Sequence, residues 1–530
     1  MNSTHRPTRW GALAAVGALA ASLVAAIPAH AAEPDDLVGS TLYLNPHSTT
    51  LEAAQSLTGQ ARADAQLLGS IPAADWFTKG TPDEIRAAVD KVVTAADAAG
   101  QMPVLVAYNL PFRDCAQYSS GGAADTAEYA AWIDAFAEGI GDRAATVLVE
   151  PDGLGIIPHY TNLEGSVEWC QPAEIDASIA TSERFAQLNH AVDAFSALER
   201  TSVYLDGTSS AWLTVDEISD RLIKAGVERA TGFFLNASNY QFTENNIAYG
   251  TWVSSCIAYV TDVAPGDLAN CGNQYWNGGP ATDWQGVAMS QYGRWSAEAT
   301  DPTANTAGLD SRYEAILGGV EPTTRFVIDT SRNALGPWQY PAGVYPAHED
   351  WCNPPDRGAG VVPTTSTGVA LVDAYLWIKR PGESDGTCLR GTAGPLDPAR
   401  GVVDPPAGQW FPAQARELIA LASPALPALT CHVKVVGTKV GRGFVAAVSV
   451  ENRGTTTLKP WKLSWEFSGD QRVKKVVGGS FTQSGPAVTI TAPKVRQSLA
   501  PGKKTALVVT GIGSAEVPWQ FRLNGRVCTS

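Results

Sequence analysis

Short apolar runs alternate with amphipathic stretches through the first four-fifths of the chain. Strand-like runs fall at 42–45, 103–108, 146–149, 202–206, 232–236, 325–329 and 372–378. Between most of them lie stretches with helical periodicity, at 81–99, 125–140, 176–199 and 214–225. Seven such repeats predict an α/β domain with a parallel sheet, and the domain's length favours a β/α barrel over an open sheet. The segments 239–300 and 380–410 are longer than simple connections need, and 239–300 is rich in Asn, Gly, Tyr and Trp. Long loops over a barrel rim build a cleft. The pattern changes at Leu421–Pro427. Short strands with turn signals follow, at Phe444–Val450, Leu463–Phe467, Ala487–Thr491 and Leu507–Thr510. They predict an all-β sandwich of about 100 residues.

Two of the buried strands end in carboxylates. Val147-Leu148-Val149 runs into Glu150-Pro151-Asp152, and Val104-Leu105-Val106-Ala107 runs into Tyr108, Pro111, Arg113 and Asp114. In α/β barrels the rim past the strand C-termini carries the chemistry. A lone Asp there is most simply a helix cap or turn former. Two acids on one rim have the layout of a carbohydrate-cleaving carboxylate pair.

Residues 1–31 read as a secretory leader: Arg6 and Arg9, an apolar run over 11–27, and the cleavage pattern Ala29-His30-Ala31. No later run is apolar for long enough to span a bilayer. Eight cysteines fit an oxidising compartment, and they allow 105 pairings. No CxxC or HExxH spacing, Gly-rich phosphate loop or G-x-S-x-G elbow is present, so nothing calls for a metal or another cofactor. The net charge of −15 is unevenly spread: from residue 430 onward 15 Lys and Arg face 4 Asp and Glu. With that tail at +11 and the leader at +2, residues 32–429 carry −28. An acidic body with a basic tail suggests two different partners.

The run from Val106 to Cys115, then Ser119-Ser120-Gly121-Gly122, together with Glu150-Pro151-Asp152, resembles the two signatures of glycoside hydrolase family 6. The resemblance continues through Tyr204-Leu205-Asp206, Asn236–Tyr240, Asn273–Pro280, Asp329–Asn333, Trp351–Pro355 and Trp377–Gly386. It implies a distorted seven-stranded parallel β/α barrel over residues 38–422 that cleaves β-1,4-glucan with inversion. Asp152 is then the general acid, and its pKa would be raised by the neighbouring charge of Asp114. Asp385 matches the proposed general base, with water relayed through Ser120 toward Asp114 as the alternative. Tyr108 would press on the sugar ring at the cleavage point. Trp212 and Trp351 would be stacking platforms, with Lys379, Glu383 and Asp206 also at the substrate. The resemblance implies the bridges Cys115–Cys170 and Cys352–Cys388, which leaves Cys256 with Cys271. The family commonly has a histidine where this chain has Ser209, which bears on the acceptor-side subsites.

After a short linker at 423–430, residues 431–530 resemble a family 2 carbohydrate-binding module through Cys431, Gly443-Phe444, Pro460–Trp465, Leu499–Gly502 and Phe521–Cys528. A Cys431–Cys528 bridge would close almost the whole domain. Cellulose-binding members use three exposed tryptophans, whose places here hold Val440, Val477 and Val495. The sandwich fold is implied; cellulose binding is not. The sequence thus predicts a secreted, inverting endo-β-1,4-glucanase whose basic tail contacts an anionic cell-wall polymer or packs on the acidic catalytic domain. No nucleic acid and no membrane span enter this reading. The competing expectations are an exo-acting cellobiohydrolase and a noncatalytic wall-glycan binder.

Overall fold

The computed structural model describes residues 37–518 and 520–530. The leader, 1–31, lies outside them. Seven parallel strands pair in sequence order: β1 (Asp75–Phe77), β2 (Val104–Ala107), β3 (Ala145–Val149), β4 (Thr201–Asp206), β5 (Gly232–Leu235), β6 (Arg325–Asp329) and β7 (Val372–Leu376). Alternate residues serve two cores, as the period of a strand requires. Val104, Val106, Leu148, Tyr204, Phe234 and Val327 point into the curl of the sheet. Leu105, Val147, Val149, Val203, Leu205, Phe233 and Phe326 pack outward against the helices. Burial on both faces explains why these strands read as unbroken apolar runs.

Among the described residues no ladder joins β7 back to β1, so the sheet is a curled half-barrel. Its edges meet through the Ala74 amide on the Trp377 carbonyl at 2.9 Å. The Trp76 indole adds a bond to the Ile378 carbonyl at 2.8 Å.

Helices at Pro82–Ala99, Thr126–Ile140, Ala180–Ser196 and Val215–Lys224 fill the expected crossovers. The first is started by a capping box between Thr81 and Glu84 with Pro82 at its first position. Two expectations are corrected. The first strand is 75–77; the run at 42–45 makes a single bridge, Leu42 to Met102. Segment 239–300 is not one long loop, because Thr243–Ala258 forms a helix with eleven buried residues. Its many Asn and Ser side chains hid the buried face: Asn245, Asn246, Ser254 and Ser255 are themselves buried.

The tail is a sandwich of a four-stranded and a five-stranded antiparallel sheet around Trp461 and Trp465. Cys431 and Cys528 are bonded at its ends. It touches the α/β domain through Gln66 Nε2, which donates to Ser530 Oγ at 3.0 Å, and through His47 and Glu466 at 3.6 Å. No helix among the described residues is long and apolar enough to cross a membrane.

Candidate active site

A cleft of about 390 Å³ opens over the C-terminal ends of the strands. Asp114, Asp152, Asp385, Tyr108, Trp212, Trp351 and Lys379 all line it.

The loops after β2 and β3 deliver the first two acids. Both loops take left-handed backbone, with positive φ at Phe112, Asp114, Cys115, Ala116, Glu150 and Asp152. Such conformations persist only where the surroundings hold them. Glu150, fully buried, accepts the Asn109 amide on both oxygens at 2.9 Å and the Leu110 amide at 3.1 Å. It thereby ties the end of β3 to the end of β2. Arg184 donates to the carbonyls of Gly153, Ile156 and Pro111 at 2.9, 2.7 and 3.1 Å, spanning both loops from below. The Cys115–Cys170 bond fixes the outer turn.

Electrostatics separate the acids sharply. Burial pushes the Asp152 carboxyl well above the usual carboxylate range, and the charges of Asp206 and Asp114 push further in the same direction. Asp206 stands behind it, buried, with the Thr208 amide on Oδ1 at 2.9 Å. Burial raises Asp206 to about 7 against the backbone amides that favour its charge. Asp206 therefore acts on Asp152 more strongly than Asp114 does, although it does not line the cleft. Asp114 is also raised by burial, and the Ser119 amide on Oδ2 at 2.8 Å partly opposes this.

Asp385 lies at the other extreme. Arg332 Nη1 reaches both its oxygens at 2.9 and 2.8 Å. Tyr240 Oη and the Asn353 amide donate to Oδ2 at 3.1 and 3.0 Å, and Lys379 Nζ stands 3.4 Å from Oδ1. Burial alone would raise this carboxyl; Arg332 and Lys379 together hold it below the ordinary value. It is a settled anion.

Around these groups the cleft is aromatic. Tyr108 meets Trp76 edge-on at 5.4 Å and carries the Arg113 guanidinium 4.5 Å above its ring. Trp351, 36% exposed, leans on Tyr118. Trp212 lies flush on Gly155, where a β-carbon would come within 2.5 Å of the indole. Three sequence expectations do not reach the cleft: Asp206, which stands behind Asp152, and Ser120 and Glu383. Ser120 is exposed on the outer turn, and its neighbour Ser119 takes the lining position. Glu383 is buried away from the lining, paired with Arg380 at 3.5 Å and with Thr49. Trp76, Trp169 and Tyr240 line the cleft without having been singled out from the sequence, and Arg332 holds Asp385 from behind. Tyr240 and Arg332 sat inside recognised motifs with no spacing signal of their own. Trp169 adjoins Cys170, the bridge partner of the Asp114 loop.

Residues 37–422 match the family described as Glycosyl hydrolases family 6, and residues 431–528 match the family described as Cellulose binding domain. The chain is 28% identical to endoglucanase A of Thermobispora bispora, over 96% of this chain and 95% of that one. It is 32% identical to endoglucanase 1 of Streptomyces halstedii, over 77% of this chain and 97% of the other. Among solved structures it resembles the endoglucanase Cel6 of Mycobacterium tuberculosis, in complex with a thio-linked cellobioside, at 31% identity and a TM-score of 0.51, covering 73% of this chain and 98% of that one. With one family match spanning most of its length and a relative at this identity along three-quarters of it, the chain belongs to glycosyl hydrolases family 6.

Proposed function

We propose that this protein cuts internal bonds of β-1,4-glucan by direct displacement with inversion, with Asp152 as the general acid. The observation that carries this reading is the division of labour among the acids. A glycosidic oxygen leaves only when protonated, so its donor must hold a proton near neutral pH. Asp152 is kept protonated by burial and by Asp206 and Asp114. Tyr108 and Trp76 form the wall against which the reacting sugar is pressed, and Trp212 and Trp351 carry rings on either side.

The assignment of the base turns on Asp385. A carboxylate that accepts from Arg332, Tyr240 and the Asn353 amide and faces Lys379 is a weak proton acceptor. Its fixed negative charge suits it to stabilising the positive character of the oxocarbenium-like transition state. Asp114, with its raised pKa and the Ser119 amide on Oδ2, is the better sink for the proton of the attacking water.

Internal cleavage is favoured by the shape of the rim. Of the long segments 239–300 and 380–410, only 239–241, Gln291 and Asp385 line the cleft, which supports an open groove. Export follows from the leader pattern over 1–31. The tail, at +11 and with valines in the platform positions, is read as contacting an anionic wall polymer. Viscometry of carboxymethylcellulose set against reducing-sugar release tests the main reading. A sharp early fall in viscosity is expected; slow viscosity loss with steady sugar release would indicate exo action, and neither would indicate a binder.

A further inference from the structure

The outer face of the four-stranded tail sheet is an apolar plain. Its strands lie in the order Cys431–Val440, Gly443–Asn452, Lys504–Ile512, Arg472–Val477. Register places Val436, Ala447, Val508 and Val477 side by side across all four strands. Two residues further along lie Thr438, Val445, Thr510 and Lys475, then Val440, Gly443, Ile512 and Arg472. Val436, Val440, Val445, Val477, Val508 and Ile512 are all exposed, between 38 and 59%. The contacts with the α/β domain run through Ser530 and Glu466, and leave these side chains uncovered. A contiguous exposed apolar patch of this kind marks a contact surface.

Its chemistry narrows the partner. Lys434, Lys475 and Arg472 stand at the margins, and none of the residues in these rows is acidic. A second copy of the same face would bring like charges together. A bilayer is entered by large apolar side chains such as Trp, Phe and Leu, and these rows hold none of them. An acidic polysaccharide satisfies the cations, but its hydroxyls would lose water against valines that offer no hydrogen bond. Glucan platforms work because the protein supplies the aromatic ring and the sugar the C–H face. Here the protein supplies the C–H groups and cations, so the ring must come from the ligand.

We propose that this face binds an acidic polyphenol: a polymer whose aromatic rings lie on the valine rows and whose phenolate or carboxylate groups meet Lys434, Lys475 and Arg472. The proposal rests on the reading that the tail contacts an anionic polymer, and adds the aromatic requirement to it. The test is depletion of the full-length protein from solution by alkali lignin, with polygalacturonate as the acidic, non-aromatic control. Val436→Lys and Val508→Lys are the deciding variants, because they add positive charge while removing apolar surface. Near-ultraviolet circular dichroism and fluorescence of Trp461 and Trp465, buried in the tail core, report that the tail remains folded in the variants. The wild type is expected to bind alkali lignin in preference to polygalacturonate, and the double variant to bind it about tenfold more weakly. Equal or tighter binding by the double variant overturns the aromatic contact and leaves charge alone. Equal binding of wild type to both polymers does the same. Binding to neither overturns both readings.

Discussion

Arg332 holds both oxygens of Asp385 from a position with no exposure of its own, at 2.9 and 2.8 Å. The pair is thus a buried ion pair, and breaking it from one side leaves a charge without a partner. Arg332→Met is expected to destabilise the fold by about 3–5 kcal/mol. Urea unfolding followed by tryptophan fluorescence measures it. Adding Asp385→Asn to that variant should recover part of the loss, while activity stays low. If the single variant is as stable as the wild type, the pair does not carry the load assigned to it.

The alkaline side of the pH profile should belong to Asp152. The acid works protonated, so kcat/KM falls as pH rises through its raised pKa. Asp206→Asn removes the strongest charge acting on it, so that limb should move to lower pH. A limb that does not move would show that Asp206 has another task. Asp152→Asn should abolish cleavage of unactivated glucan and spare substrates whose leaving group needs no proton.

The same shifts set a stability trend. Asp206 and Glu150 are both raised to about 7 in the fold, so each favours the protonated, native form at low pH. That contribution is complete below their unfolded values near pH 4 and is lost as pH rises toward 7. Depressed Asp385 acts oppositely, contributing above pH 4 and losing its contribution as pH falls through its lower folded value. Urea midpoints measured from pH 4.5 to 8 should therefore fall with rising pH, and Glu150→Gln should flatten the slope.

Arg184 does not itself line the cleft, yet it spans the two loops that carry Asp114 and Asp152. Arg184→Met is expected to lower kcat by about 10- to 100-fold with little change in KM, since misplacement of an acid by an ångström costs that much. Arg184→Lys should restore part of the rate. A loss confined to KM would contradict this.

Stereochemistry provides an independent check. Direct displacement on a β-linked chain gives the α-anomer first. Proton NMR in the first minutes of reaction should show it ahead of mutarotation, and an initial β-anomer would require a covalent intermediate.

The strands and the two acids at their ends were legible because a doubly buried strand writes itself as an apolar run, and its carboxylate is conspicuous. That pattern marked Asp152 and Asp114 as candidates, and the flanking motifs gave them their expected roles. Asp206 was legible as a residue, but its effect on Asp152 depends on which strand lies behind which, and that is a tertiary fact. Glu383 and Ser120 sat in the right motifs and yet point elsewhere, because motif position does not give side-chain direction. Strand β1 was missed because three residues, Asp75–Phe77, are too few to show a period. The helix Thr243–Ala258 was missed because buried Asn and Ser residues masked its apolar stripe.

Trp76 is both wall and latch. The indole that lines the cleft also bonds the Ile378 carbonyl across the seam where, among the described residues, no ladder joins the two edges of the sheet. A glucan lying in the cleft would hold that ring in place, and with it the seam. Hydrogen exchange at Ala74, whose amide crosses the same gap, should slow when the cleft is filled. The enzyme would then be tightest around its substrate at the place where its own scaffold is least continuous.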